Sequence, residues 1–68
     1  MENKQEICDL LLKTLRATDN AHDLVSLTYD DYEETVTARF TSGGKRVINV
    51  AMDSGTAMIR DIMGNLGY

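Results

Sequence analysis

The chain has 68 residues, one cysteine, one histidine and a formal net charge of -4. At this length residues 1–68 are expected to form one domain near the lower limit for an unstapled core, burying roughly 60% of the extended-chain surface. One Cys and one His exclude an internal disulfide and a four-ligand zinc site, and the longest apolar run, Leu10-Leu11-Leu12, falls far short of the ~20 residues that cross a bilayer.

Residues 3–17 carry helical periodicity: Ile7, Leu10, Leu11 and Leu15 fall at i, i+3, i+4 and i+8. Asn3 is placed to cap this helix, with Glu6 three residues on as in a capping box. With Cys8 and Leu12 the apolar arc spans roughly 200°, wider than the ~100° stripe that one sheet contact needs. Cys8 reads as a small core residue. The surplus at Cys8, Leu10 and Leu12 is a candidate surface for self-association.

After a polar connection over residues 18–23 the period changes to two. In the first strand Val25, Leu27 and Tyr29 are expected on the inner face, with Ser26 and Thr28 outside. Val36, Ala38 and Phe40 alternate with Thr35, Thr37, Arg39 and Thr41. Ile48, Val50 and Met52 alternate with Val47, Asn49 and Ala51. A two-residue turn at Gly43-Gly44 would throw Ile48 and Val50 to the wrong face. A three-residue loop, Gly43-Gly44-Lys45, keeps the faces consistent and pairs Phe40 with Ile48, Ala38 with Val50 and Val36 with Met52. On the outer face it sets Arg39 opposite Asn49 and Thr41 opposite Val47.

The last helix starts with Asp53 or Ser54 as cap and runs to about Leu66, with Gly67 suited to the left-handed terminal position. Met58, Ile59, Ile62 and Leu66 form its inner stripe, and Gly55 permits a close approach of the first turn. The expected fold is therefore α+β: a three-stranded antiparallel sheet with the N- and C-terminal helices on one face and a polar opposite face. This α-β-β-β-α order resembles the double-stranded-RNA-binding domain over almost the whole chain. That family binds phosphates through lysines at the start of its last helix and reads a minor groove with a histidine-bearing loop. Here the helix start, Asp53-Ser54-Gly55-Thr56-Ala57-Met58-Ile59-Arg60, has no lysine, and the loop is Asp30-Asp31-Tyr32-Glu33. The resemblance implies the fold and not RNA binding.

The charges are polarised along the chain. Asp19, Asp23, Asp30, Asp31, Glu33 and Glu34 lie together without one Lys or Arg, while the other 52 residues carry seven cations against five acids, leaving a -6 lobe on a +2 body. Asp30, Asp31, Glu33 and Glu34 frame Tyr32 at the tip of the first hairpin. Spaced carboxylates around an aromatic can engage a basic protein surface, and the same composition also suits a plain solvated turn. Arg39, Lys45 and Arg46 are expected as a basic patch at the other end of the sheet, too small to overcome a net-negative surface in nucleic-acid binding.

Asp19, His22 and Asp23 lack the spacing of a calcium loop, and nothing assembles a nucleophile, a base and an oxyanion donor. No enzyme, cofactor, metal or membrane partner is expected. The opening Met-Glu-Asn-Lys-Gln-Glu lacks the pattern of a secretory signal, which points to the cytoplasm.

In bulk character the chain is similar to the small acidic accessory proteins of phages and mobile elements, including anti-CRISPR proteins. That resemblance implies an inhibitor that occupies a partner's basic nucleic-acid channel. The leading expectation is thus a non-enzymatic protein-binding module acting through its acidic hairpin. The second is a homodimer or small assembly burying the apolar flank of the first helix. The third is weak nucleic-acid binding through Arg39, Lys45, Arg46 and Arg60.

Overall fold

The computed structural model describes residues 2–68. Five elements follow in the order α1 (Lys4–Arg16), β1 (Leu24–Asp30), β2 (Thr35–Phe40), β3 (Lys45–Asn49) and α2 (Gly55–Leu66). The sheet is three-stranded and antiparallel in the order β1-β2-β3, as the alternation in sequence requires. Both helices pack on the face that carries Leu27, Val36, Ala38 and Ile48. Cys8 and Leu15 from α1, and Met58 and Ile62 from α2, join these residues in one buried cluster. Wholly buried Leu24, Ile48, Met58, Ile62, Val36 and Val50 each contribute about 1.5–3 kcal/mol of transfer free energy.

Asn3 caps α1, its Oδ1 accepting from the Glu6 backbone N–H at 3.0 Å. Cys8 is completely buried, and burial, with the Asp9 carboxylate adding to it, pushes its thiol up to about 11. Ile7, Leu11 and Leu12 pack against the core, so the apolar surplus of α1 reduces to Leu10, which is 61% exposed. Cys8 is thus part of the core itself, while Leu12 is half-buried against it.

Two strand registers differ from expectation. In β1, Leu24 pairs with Phe40 and Ser26 with Arg39, leaving Val25 as the extra residue of a bulge. The bulge lets Leu24 and Leu27, three apart, both point inward, while Val25 turns out to 41% exposure. Between β2 and β3 the pairs are Val36 with Ile48, Thr37 with Val47, Ala38 with Arg46 and Arg39 with Lys45. The three-residue loop is residues 41–43, not 43–45. The Gly43 N–H closes a turn onto Phe40 O, Phe40 N–H donates to Gly44 O, both at 3.0 Å, and Gly43 takes φ 90°. A turn followed by a left-handed glycine is a favoured three-residue hairpin. Pairing slides by four positions relative to expectation, an even shift that leaves Ile48 and Val50 on the inner face. Val36 thus meets Ile48, Val50 extends the ladder by donating to Glu34 O at 3.0 Å, and Met52 leaves the sheet altogether.

The free edge of β1 is closed by a side chain of α1. Gln5 Oε1 accepts from the Tyr29 N–H at 2.8 Å and its Nε2 donates to Leu27 O at 3.3 Å. At the other helix, Ser54 caps α2, its Oγ accepting from the Ala57 N–H at 3.3 Å, and Gly67 ends it with φ 77°. The Gly55 N–H is held by the Glu2 carboxylate, both oxygens at 3.0 Å, so Glu2 joins Ser54 in satisfying the start of α2. A β-carbon at Gly55 would run into that carboxylate and lie 2.8 Å from Ile7 Cδ1, so any larger residue requires the ends of the Glu2 and Ile7 side chains to move. No helix among the described residues is long and apolar enough to cross a membrane.

Candidate functional site

The β1-β2 turn is tied by its own first carboxylate. Asp30 Oδ1 accepts from the backbone N–H groups of Tyr32 at 2.9 Å and Glu33 at 3.1 Å. One Asp30 oxygen is thereby committed to shaping the turn, as Asp does in Asx-type turns. The turn presents Tyr32 at 90% exposure among exposed Asp31, Glu33 and Glu34.

A second loop belongs to the same end of the sheet, a feature that sequence reasoning missed. Because Val50 donates to Glu34 O, the β3-α2 connection runs beside the hairpin tip. Its turn is closed by the Asp53 N–H on Val50 O at 3.1 Å and by the Ala51 N–H on Asn49 Oδ1 at 2.9 Å. Met52 sits in this turn at φ 64° and 95% exposure. Sequence reasoning placed Met52 inward, opposite Val36, and the shifted register is what frees it. Glu34 likewise has φ 57°. The two non-glycine residues with positive φ among the described residues thus flank one end of the sheet, where the two most exposed large apolar side chains, Tyr32 and Met52, also lie.

The expected basic patch is divided between two faces. Arg39 and Lys45 pair directly across β2 and β3 on the open face. Arg46 sits opposite Ala38 on the helix-bearing face, where its Nη1 donates to Asn65 O near the end of α2 at 2.7 Å. The open face therefore runs from cations at Arg39 and Lys45, through Thr28, Thr37 and Val47, to Asp30, Thr35 and Asn49.

Beside the acidic tip lies an open depression of about 650 Å³ lined by Glu2, Asn3, Lys4, Gln5, Tyr29 and Asp31. Lys4 Nζ stands 5.7 Å from the centre of the Tyr29 ring at its side, within cation–π range. Asp53 Oδ2 is covered and has no donor. The Asp61 carboxyl facing it, hydrogen-bonded when the pair holds a proton, raises Asp53 above the ordinary carboxylate range; burial adds to this and Lys4 opposes it. His22 Nδ1 lies 2.6 Å from Asp19 O, a contact that places its proton on that nitrogen and uses the ring to close its own turn. Burial, and then the Asp23 carboxylate, raise the Tyr68 hydroxyl above its ordinary value. Among the described residues no three His, Cys, Asp or Glu side chains converge to hold a metal ion.

No protein-family model, curated protein or solved structure matches the chain.

Proposed function

We propose that the protein is a non-enzymatic binding module that engages a basic surface of a protein partner through residues 30–34, with Met52 alongside. The observation that carries this reading is the presentation of Tyr32: a large aromatic at 90% exposure on a turn held rigid by Asp30 and surrounded by carboxylates. An aromatic held in place needs little further ordering on binding, and Tyr is enriched among residues that dominate interface energies. Met52 adds an adaptable thioether contact. Glu34 and Met52 hold left-handed backbone that glycine would take without strain, at a cost of about 1–2 kcal/mol each. Strain kept at an exposed end, away from the core, fits a site shaped for contact.

Asp31, Glu33 and Glu34 supply long-range attraction that speeds encounter with a cationic partner. In the finer form of the proposal the partner is a nucleic-acid enzyme of the host cell, whose phosphate channel the carboxylates occupy in the manner of phage-borne inhibitors. The test is affinity capture from source-cell lysate after nuclease treatment, wild type beside the Asp31→Lys, Glu33→Lys, Glu34→Lys triple variant. Asp30 is left intact so that the turn keeps its shape. A basic protein captured by wild type and lost by the variant supports the proposal. A partner retained equally by both overturns it.

A further inference from the structure

The two edges of the sheet are treated differently. Gln5 takes the outward N–H of Tyr29 and the outward carbonyl of Leu27, which closes the middle of β1. At the opposite edge the ladder bonds Phe40 N–H to Gly44 O and Val50 N–H to Glu34 O mark the β3 residues that face β2. Antiparallel alternation then turns the backbone groups of Lys45, Val47 and Asn49 away from the sheet. Among the described residues no side chain reaches those groups. Val47, in the middle of this edge, is a β-branched residue 55% exposed on the open face.

We infer that the free edge of β3 pairs with β3 of a second copy, antiparallel about a two-fold axis at Val47, so that two three-stranded sheets become one of six. In this register Val47 lies opposite Val47 of the second copy, and Lys45 opposite its Asn49. All six outward N–H groups and their facing carbonyls are satisfied, because the outward residues on each edge are the same three.

Charge selects a second copy as the occupant. Each open face has Arg39 and Lys45 at one end and Asp30 at the other. Pairing about the two-fold sets Lys45 of each copy beside the neutral Asn49 of its neighbour, with the Arg39-Lys45 row continuing into the Asn49-Thr35-Asp30 row, so no like charges meet across the seam. The acidic turns at residues 30–34 are carried to opposite ends of the joined sheet, where they do not repel. Edge pairing leaves Tyr32, on the turn between β1 and β2, outside the seam in both copies. A five-residue strand is short beside stable interfaces of about 1,200–2,000 Å², so dissociation constants on the order of micromolar or weaker follow.

The experiment is sedimentation velocity on the full chain from low micromolar to millimolar concentration, with wild type, Val47→Pro and Val47→Lys. The Val47 N–H makes no bond to β2, so Pro leaves the ladder intact while removing both central bonds between copies. Val47→Lys instead brings like charges together on the axis and keeps the backbone donor. The expected result is a reversible monomer-dimer equilibrium in wild type, weakened on the order of tenfold or more by either variant, with unchanged circular dichroism. Should Val47→Pro fail to fold, Val47→Lys decides alone. A wild type that stays monomeric throughout overturns the inference. So does a dimer that the folded variants leave intact, or one dispersed instead by Leu10→Glu on α1.

Discussion

Gln5 and Tyr29 are joined across 24 positions of sequence by one hydrogen bond, side-chain Oε1 to backbone N–H at 2.8 Å. With the companion bond to Leu27 O the amide acts as a short stretch of neighbouring strand, fixing α1 along β1 and closing that edge. Gln5→Leu keeps the size of the side chain and strands two part-buried backbone groups. It should cost about 1–3 kcal/mol, read as a fall in Tm of roughly 4–8 °C per kcal/mol in thermal unfolding. Hydrogen exchange at Tyr29 should quicken in the same variant. An unchanged Tm and exchange rate would show that the bond contributes nothing.

Two glycines in α2 should respond oppositely to alanine. At Gly64 a β-carbon meets nothing within 4 Å, so Gly64→Ala should stabilise by about 1 kcal/mol through helix propensity. At Gly55 the new methyl displaces the ends of Glu2 and Ile7 and with them the carboxylate that holds the Gly55 N–H, and loss of such a cap costs about 0.5–2 kcal/mol. Chemical denaturation of the two variants gives the pair of signs directly.

The Asp53–Asp61 contact gives stability a definite pH dependence. Asp53 is raised by its hydrogen bond to Asp61 and by burial. A carboxyl whose folded pKa exceeds its unfolded value contributes stability that is fully present below the unfolded value of 3.8 and is lost as pH rises through the folded value. Asp53→Asn removes the titration and supplies an amide that can donate to Asp61. Its melting temperature should exceed that of wild type at neutral pH, and the advantage should vanish in acid. An advantage independent of pH would place its origin elsewhere.

Met52→Gly should separate folding from binding. Glycine accepts φ 64° without strain, and after its own entropic penalty a net gain of about 0.5–1 kcal/mol remains. Loss of the thioether should at the same time weaken capture of the partner. Greater stability with undiminished capture would remove Met52 from the site.

Element order and type were legible because the apolar period switches from 3.6 to 2 and back, and caps such as Asn3, Ser54 and Gly67 mark the ends. The registers were not. Alternation fixes only the parity of pairing, so a slide by four between β2 and β3 is invisible to it, and either of two adjacent glycines could hold the left-handed turn position. The bulge at Val25 was hidden because Leu24 and Val25 are both apolar. Those same errors hid half of the candidate site: the charge of residues 30–34 stands out in the sequence, whereas Met52 joins them only once Val36 is known to face Ile48. Gln5 carried no signal, since its value lies in the strand edge that folding brings beside it.

The most direct test of the acidic tip as a docking site is association kinetics with the captured partner at rising ionic strength, for wild type and Tyr32→Ala. Carboxylate steering predicts an association rate that falls steeply with salt. An anchoring Tyr32 predicts dissociation faster by roughly tenfold or more in the variant. Association independent of salt, together with dissociation untouched by Tyr32→Ala, would contradict a role for this end of the molecule in binding.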